Sequence, residues 1–209
     1  MKNILYFIAF AAILSTTSCS KDDPTPEEDQ EEVSSAELTF TEVEREAHGD
    51  HYHYNDIANA ETATVKFDNK GLPSVGAHLH LENGKTYRLT LKALDFAGRE
   101  TQQTFIDRAD IHQVFILGAP EGALDYVYAD KDANGNAVNV GVTGYITVLK
   151  TADNAFTFRY ILRHLNSGVK ANIKASDWNN PDFAKFTGEN DLDFKVEVHL
   201  VNEGEHDDD

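Results

Sequence analysis

The chain has 209 residues and is strongly acidic, with 36 Asp and Glu against 18 Lys and Arg and a formal net charge of −18. Such a charge repels phosphate backbones, which excludes nucleic acid as a direct partner. With one Cys and one Met in the whole sequence, the composition also excludes an internal disulfide and a metal site built from soft sulfur ligands.

The first 18 residues have the pattern of a lipoprotein signal peptide. A short basic start, Met1-Lys2-Asn3, precedes an apolar run from Ile4 to Leu14 that is too short to span a bilayer. Small residues then lead into Cys19, which we expect to be lipidated and to become the N-terminus after cleavage. An ordinary cleaved signal followed by a chance cysteine is the alternative.

Residues 19–35 read as the lipidated cysteine and an acidic flexible tether, too poor in apolar residues to form a core. Ser20-Lys21-Asp22-Asp23 resembles the export signal of Bacteroidetes surface lipoproteins, a lysine beside acidic residues just after the cysteine. We therefore expect an outer-membrane lipoprotein that faces the cell exterior, with a periplasm-facing anchor as the alternative. Residues 203–209 form a second solvated acidic stretch.

Alternation of apolar and polar residues dominates residues 36–202, which have the size of one domain. The pattern predicts a single immunoglobulin-like antiparallel β-sandwich, an all-β fold with one short helix within residues 98–110. A long connection at residues 166–191 is expected to pack as loops. The predicted strands are Glu37–Glu44, Thr62–Asp68, Lys85–Leu94, Gln113–Leu117, Leu124–Ala129, Val142–Lys150, Ala155–His164 and Leu192–Val201.

Five of the nine histidines lie between residues 48 and 80, and four of them form two His-x-His pairs. In an extended strand, residues i and i+2 project from the same face roughly 6.6 Å apart, so that two imidazoles can share one ion. Two such pairs could together supply a four-nitrogen tetrahedral site. The predicted metal ligands are His48, His51, His53, His78 and His80, with Asp50, Asp110, His112 and His164 as weaker candidates.

Zn(II) is the expected ion, with Ni(II) or Cu(II) as alternatives, because nitrogen and oxygen ligands are abundant and thiolates are lacking. The alternative interpretation of His48, His51 and His53 is a polar loop in which imidazoles alternate with Tyr52 and Tyr54. The alternative interpretation of His78 and His80 is a strand with its polar face in water. A Ca(II) loop is not favoured. Asp130-x-Asp132-x-Asn134-Gly135 resembles its start, but Gly141 occupies the position of the bidentate acid.

Several segments in the second half of the chain are similar to a known family. They are His112-Gln113-Val114-Phe115, a hairpin over residues 126–138, a strand end at residues 158–166 and a closing strand at residues 193–198. In this order they resemble a family of small Bacteroidetes lipoproteins often labelled "type 1 periplasmic binding fold superfamily protein". The resemblance covers roughly residues 36–202 and implies a surface-lipoprotein lineage without an activity. Its label implies a two-lobed α/β fold, which the strand-rich pattern contradicts, and the histidine-rich first hairpin departs from the family's short glycine-rich loop.

The sequence contains no nucleophile elbow, no His-Glu-x-x-His and no phosphate-binding glycine loop, so we expect no enzyme. We expect an outer-membrane lipoprotein, held by its lipid anchor, that captures, buffers or hands off zinc, with a TonB-dependent transporter as a candidate partner. The alternative is a binding module for a glycan, a peptide or a partner protein. Converging histidine rings would favour metal binding, and rings splayed beside exposed aromatic residues would favour the alternative.

Overall fold

The computed structural model describes residues 32–205. The predictions for the signal peptide, for Cys19, for most of the tether and for the last four residues of the acidic tail lie outside this range. Within it, the chain forms the strands β1 (Ser35–His48), β2 (His51–Asp56), β3 (Thr62–Asp68), β4 (His78–Glu82), β5 (Thr86–Leu94), β6 (His112–Leu117), β7 (Leu124–Tyr128), β8 (Asp130–Lys131), β9 (Ala137–Val138), β10 (Thr143–Val148), β11 (Phe156–Leu165) and β12 (Gly188–Val201), and the helix α1 (Gln102–Asp107).

The first sheet is built around β1 and has the strand order β2-β1-β5-β10-β7. One edge of β1 pairs with β5. The other edge is divided between two partners, because Ser35–Thr41 pairs with β3 and Val43–His48 pairs with β2. The β1–β2 hairpin therefore continues the sheet past the end of β3.

The second sheet has the order β4-β12-β11-β6. Strands β6, β11 and β12 pair in antiparallel fashion. The edge strand β4 is parallel to β12, and this places His80 directly beside His199. Strands β8 and β9 form a separate two-residue ladder.

The two sheets face each other across one large core, which confirms the predicted all-β sandwich. Phe40 of β1 meets Phe158 of β11 edge-on at 5.9 Å between ring centroids, and Phe67 of β3 stacks on Phe194 of β12 at 4.4 Å. Val33 also packs against this core, so the folded unit begins slightly before the predicted boundary at residue 36.

The connection between β11 and β12 packs through three short 3₁₀ helices at Lys170–Asn172, Ala175–Asn179 and Phe183–Lys185, and it is shorter than predicted, because residues 188–191 belong to β12. Its Phe186 stacks on Phe115 of β6 in a small second core. Among residues 32–205, no helix has the length and apolar character needed to cross a membrane.

Candidate functional site

The first histidine cluster sits at the tip of the β1–β2 hairpin. Gly49 and Asp50 form a two-residue turn, and Gly49 has a φ of +66°, which suits the first turn position when glycine occupies it. His48 and His51 flank this turn and pair directly across the hairpin. Because the side-chain period of a strand is two, His53 projects from the same face as His51.

The three imidazoles of this cluster, which we call the exposed trio (His48, His51, His53), converge. Their ring centroids are 5.0–5.6 Å apart, and one ligand atom from each lies within 4.8 Å of the others. His51 Nε2 and His53 Nε2 are 3.2 Å apart. All three residues are exposed, so an ion could reach them directly from solvent.

Asp50 contacts the outer nitrogen of His51. Its Oδ1 lies 3.1 Å from His51 Nδ1. A carboxylate at that position favours the tautomer that carries its proton on Nδ1, which leaves Nε2 as a bare lone pair on the converging side. Asp50, predicted as a weaker metal ligand, is thus placed to orient the His51 ring through Nδ1, the nitrogen that is not on the converging side.

The opposite face of the hairpin is anchored to the first sheet. Tyr54 stacks on Tyr145 of β10, and burial raises the pKa of Tyr54. The Arg45 guanidinium lies over the Tyr52 ring at 3.6 Å, and Arg88 pairs with Asp56. The hairpin that carries the exposed trio is therefore held in place although its tip is in solvent.

The second His-x-His pair lies in the other sheet, so the two pairs do not meet in one four-nitrogen site. His78 and His80 project outward from β4, and the register of β12 adds His199 beside them. The three rings are 4.9–5.9 Å apart. His199 Nε2 also lies 3.1 Å from Glu197 Oε1.

His112 and His164, the weaker candidates, meet inside the protein. They pair directly across β6 and β11, with ring centroids 4.8 Å apart. Asp191 of β12 joins them, its Oδ2 lying 3.2 Å from His112 Nε2 and 3.6 Å from His164 Nδ1. Asp110 is exposed and takes no part in this group.

Asp130 and Asp132, in the segment that resembles the start of a Ca(II) loop, accept hydrogen bonds from backbone amides. Asp132 Oδ1 accepts hydrogen bonds from the amides of Asn134 and Asn136 at 2.8 Å and closes the β8–β9 turn. Buried Asp130 accepts the amides of Gly141 and Thr143 at 2.5 and 2.7 Å. The Asp132 contacts lie within the hairpin expected over residues 126–138.

Comparison of the chain with protein-family models, with curated proteins and with solved structures finds no match. Sequence reasoning missed two residues of the histidine groups, His199 and Asp191. Both reach their partners through the pairing of β12, which no local spacing reveals.

Proposed function

We propose that this domain captures a divalent transition metal, with zinc as the preferred ion, through the exposed trio on the β1–β2 hairpin. The observation that carries the proposal is the convergence of three imidazole ligand atoms within 4.8 Å of one another. Neutral imidazole is a preferred ligand of Zn(II), Ni(II) and Cu(II), and three nitrogens leave one tetrahedral position open.

The location of the exposed trio suits capture and release. All three histidines are exposed at a hairpin tip, where a bound ion stays accessible to solvent and to a second ligand. An ion with an open coordination position can be passed on by ligand exchange, whereas a closed site retains it. Buffering and hand-off are thus the roles that this geometry supports best.

The acidic surface adds a long-range contribution. A formal charge of −18 raises the local concentration of cations and speeds their arrival. Together with the lipid anchor expected at Cys19, this would concentrate metal at the outer membrane. We propose a transporter of that membrane as the acceptor.

The alternative, an aromatic contact surface for a glycan or a protein, has less support at the hairpin. Tyr54 is half-buried, and one face of its ring is covered by Tyr145. Tyr52 is 46% exposed, but the Arg45 guanidinium covers one face of its ring. The rings that converge at the tip are imidazoles.

Calorimetric titration of the metal-free protein with Zn(II) tests the proposal. We expect one rapidly exchanging ion of micromolar or tighter affinity that is lost in the variant His48→Ala/His51→Ala/His53→Ala. Asn55→Ala, at an exposed position of the same hairpin, is the matched control and should bind normally. Loss of this ion in the control alone, or unchanged binding in the triple variant, would refute capture by the exposed trio.

A further inference from the structure

We propose that His112, His164 and Asp191 form a second metal centre, buried in the second sheet, that holds one zinc-sized divalent cation. We call these three residues the buried trio. It is separate from the exposed trio in position, in ligand chemistry and in solvent access. The proposal of a metal ion at the buried trio does not depend on metal capture at the hairpin.

The buried trio is almost completely shielded from water. The side chains of His112, His164 and Asp191 are 0%, 9% and 1% exposed. A carboxylate in such a place is costly unless a cation or hydrogen-bond donors compensate its charge. Within residues 32–205, however, His112 Nε2, His164 Nδ1 and Asp191 Oδ2 have no hydrogen-bond partner.

The backbone fixes which nitrogen of His112 is bare. Nδ1 of His112 lies 3.0 Å from the carbonyl oxygen of Arg108, and a carbonyl can only accept, so Nδ1 carries the proton. In the neutral ring Nε2 then carries a lone pair, and it lies 3.2 Å from Asp191 Oδ2. Two acceptors this close require a cation between them, either a second proton on the ring or a metal ion.

The distances between the ligand atoms fit a tetrahedral ion. With zinc bonds of about 2.0–2.1 Å, neighbouring ligand atoms of a tetrahedron lie about 3.3–3.4 Å apart. The contacts from Asp191 Oδ2, at 3.2 and 3.6 Å, bracket that value. Neither contact has the geometry of a hydrogen bond within the described residues, so a hydrogen bond does not account for the approach of the carboxylate to the two rings.

A β-bulge brings Asp191 to the histidines. Leu162 pairs with Leu192, but the next residue, Arg163, pairs with Asn190, so that Asp191 is the extra residue between them. Bulges re-aim side chains and are frequent beside functional sites. The carbonyl of Arg108 behind His112 is likewise the kind of outer contact that holds a metal-bound imidazole.

Two imidazoles and one carboxylate form a donor set that suits Zn(II) more than Ca(II) or Mg(II), which prefer oxygen ligands only. The ligands come from β6, β11 and β12, so a bound ion would tie three neighbouring strands together. Because the site is enclosed, the ion should exchange slowly. This distinguishes it from an ion at the exposed trio.

The test begins with release of zinc from the loaded protein to an excess of a coloured chelator. Two kinetic phases are expected, a fast one from the exposed trio and a slow one from the buried trio. The variant His48→Ala/His51→Ala/His53→Ala should lose only the fast phase, and Asp191→Asn only the slow phase. Asp193→Asn, the same change two residues along β12, is the control and should keep both phases.

Two measurements on protein with intact buried ligands keep the proposal testable if Asp191→Asn fails to fold. In the exposed-trio variant, zinc at a hundredfold excess over its Kd should raise the Tm by about 5–10 °C. Cobalt(II) in the same variant should give the intense visible absorption of a four-coordinate site. Three results would overturn the proposal: a Tm that does not depend on zinc, a weak six-coordinate spectrum, or a slow phase that survives Asp191→Asn. Each would mean that a second proton on the His112 ring, and not a metal ion, compensates the charge of Asp191.

Discussion

Tyr54 and Tyr145 stack almost face to face, with ring centroids 3.8 Å apart and planes inclined by 5°. Tyr54 belongs to β2 and Tyr145 to β10, and the sheet order places β1 and β5 between these strands. The stack thus joins the hairpin to the sheet independently of the hydrogen-bonded ladder. It is one of the contacts that hold the exposed trio in position.

Tyr145→Ala should therefore weaken zinc binding at the exposed trio without touching a ligand. The aromatic pair contributes about 0.5–1.5 kcal/mol, and its loss lets the hairpin sample orientations in which the rings diverge. We expect a 3- to 10-fold rise in the Kd of the fast-exchanging ion, measured by calorimetry. Tyr145→Phe preserves the stack and should bind as the unmutated protein does; equal loss in both variants would contradict this explanation.

Zinc binding at the exposed trio should also depend on pH. Metal and proton compete for the same imidazole lone pairs, and only the neutral ring can bind the ion. We expect affinity to fall steeply below about pH 6 and to be level between about pH 7.5 and 8.5. A competition assay at fixed ionic strength measures this; a level profile from pH 5 to 8 would exclude histidine ligands.

Asp130 gives the fold a pH dependence of its own. Burial raises the pKa of its carboxyl from 3.8 to about 6, against the opposing effect of the amides of Gly141 and Thr143. Because the folded-state pKa lies above the unfolded value, the contribution to stability is complete below pH 3.8 and is lost as the pH rises through 6. Relative to Asp130→Asn, wild-type unfolding free energy should fall by up to about 3 kcal/mol between pH 4 and 7.

Urea unfolding at several pH values measures this difference, and parallel profiles for wild type and Asp130→Asn would contradict it. Asp132 supplies a control of opposite sign. Hydrogen bonds from the side chain and amide of Asn136 lower the pKa of Asp132. Its contribution to stability is therefore present above the unfolded pKa and is lost as the pH falls.

Arg163 holds the segment that leads into the bulge at Asp191. Its guanidinium donates to the carbonyls of Phe186 and Gly188 at 3.2 and 2.5 Å and to Asn190 Oδ1 at 2.6 Å. Lysine keeps the charge but cannot reproduce this fork. Arg163→Lys should lower the unfolding free energy by about 1–3 kcal/mol and, if the buried trio holds an ion, speed its release.

The control for that variant is Arg159→Lys on the same strand. Arg159 makes a paired contact with Asp193 at 2.7 and 2.6 Å, but both side chains are about one-third exposed. Solvent screening reduces the value of such a pair, so we expect a loss below about 1 kcal/mol. Equal effects of the two substitutions would show that Arg163 has no special structural role.

The sequence was sufficient to predict the sandwich because its core strands alternate clearly. The predicted strand Thr62–Asp68 matches β3 residue for residue, and the prediction for β5 differs by one residue at its start. Strand β2, with the sequence HYHYND, has no apolar face and is absent from the predicted strands. It forms a strand because β1 extends past the end of β3 and offers β2 an edge with which to pair.

The histidine sites were predictable only where the spacing is local. Convergence of His51 and His53 follows from a period of two, and the short turn adds His48. His199 joins His80 through a parallel pairing between strands about 120 residues apart, and Asp191 reaches the histidines through a bulge. Register and bulges depend on the packing of the whole sheet, which a linear pattern does not contain.

The division of β1 between two partners makes the hairpin tip a separable module. Residues 44–56 contribute no side chain to the buried core, while the first half of the same strand lies at its centre. Substitutions among the histidines of the tip therefore leave the packing of the sandwich unchanged. A hairpin tip with a different ion preference could be grafted onto this scaffold. Within β1, His48, which is proposed to bind metal, therefore lies five residues beyond Val43, the last residue of the strand to enter the buried core.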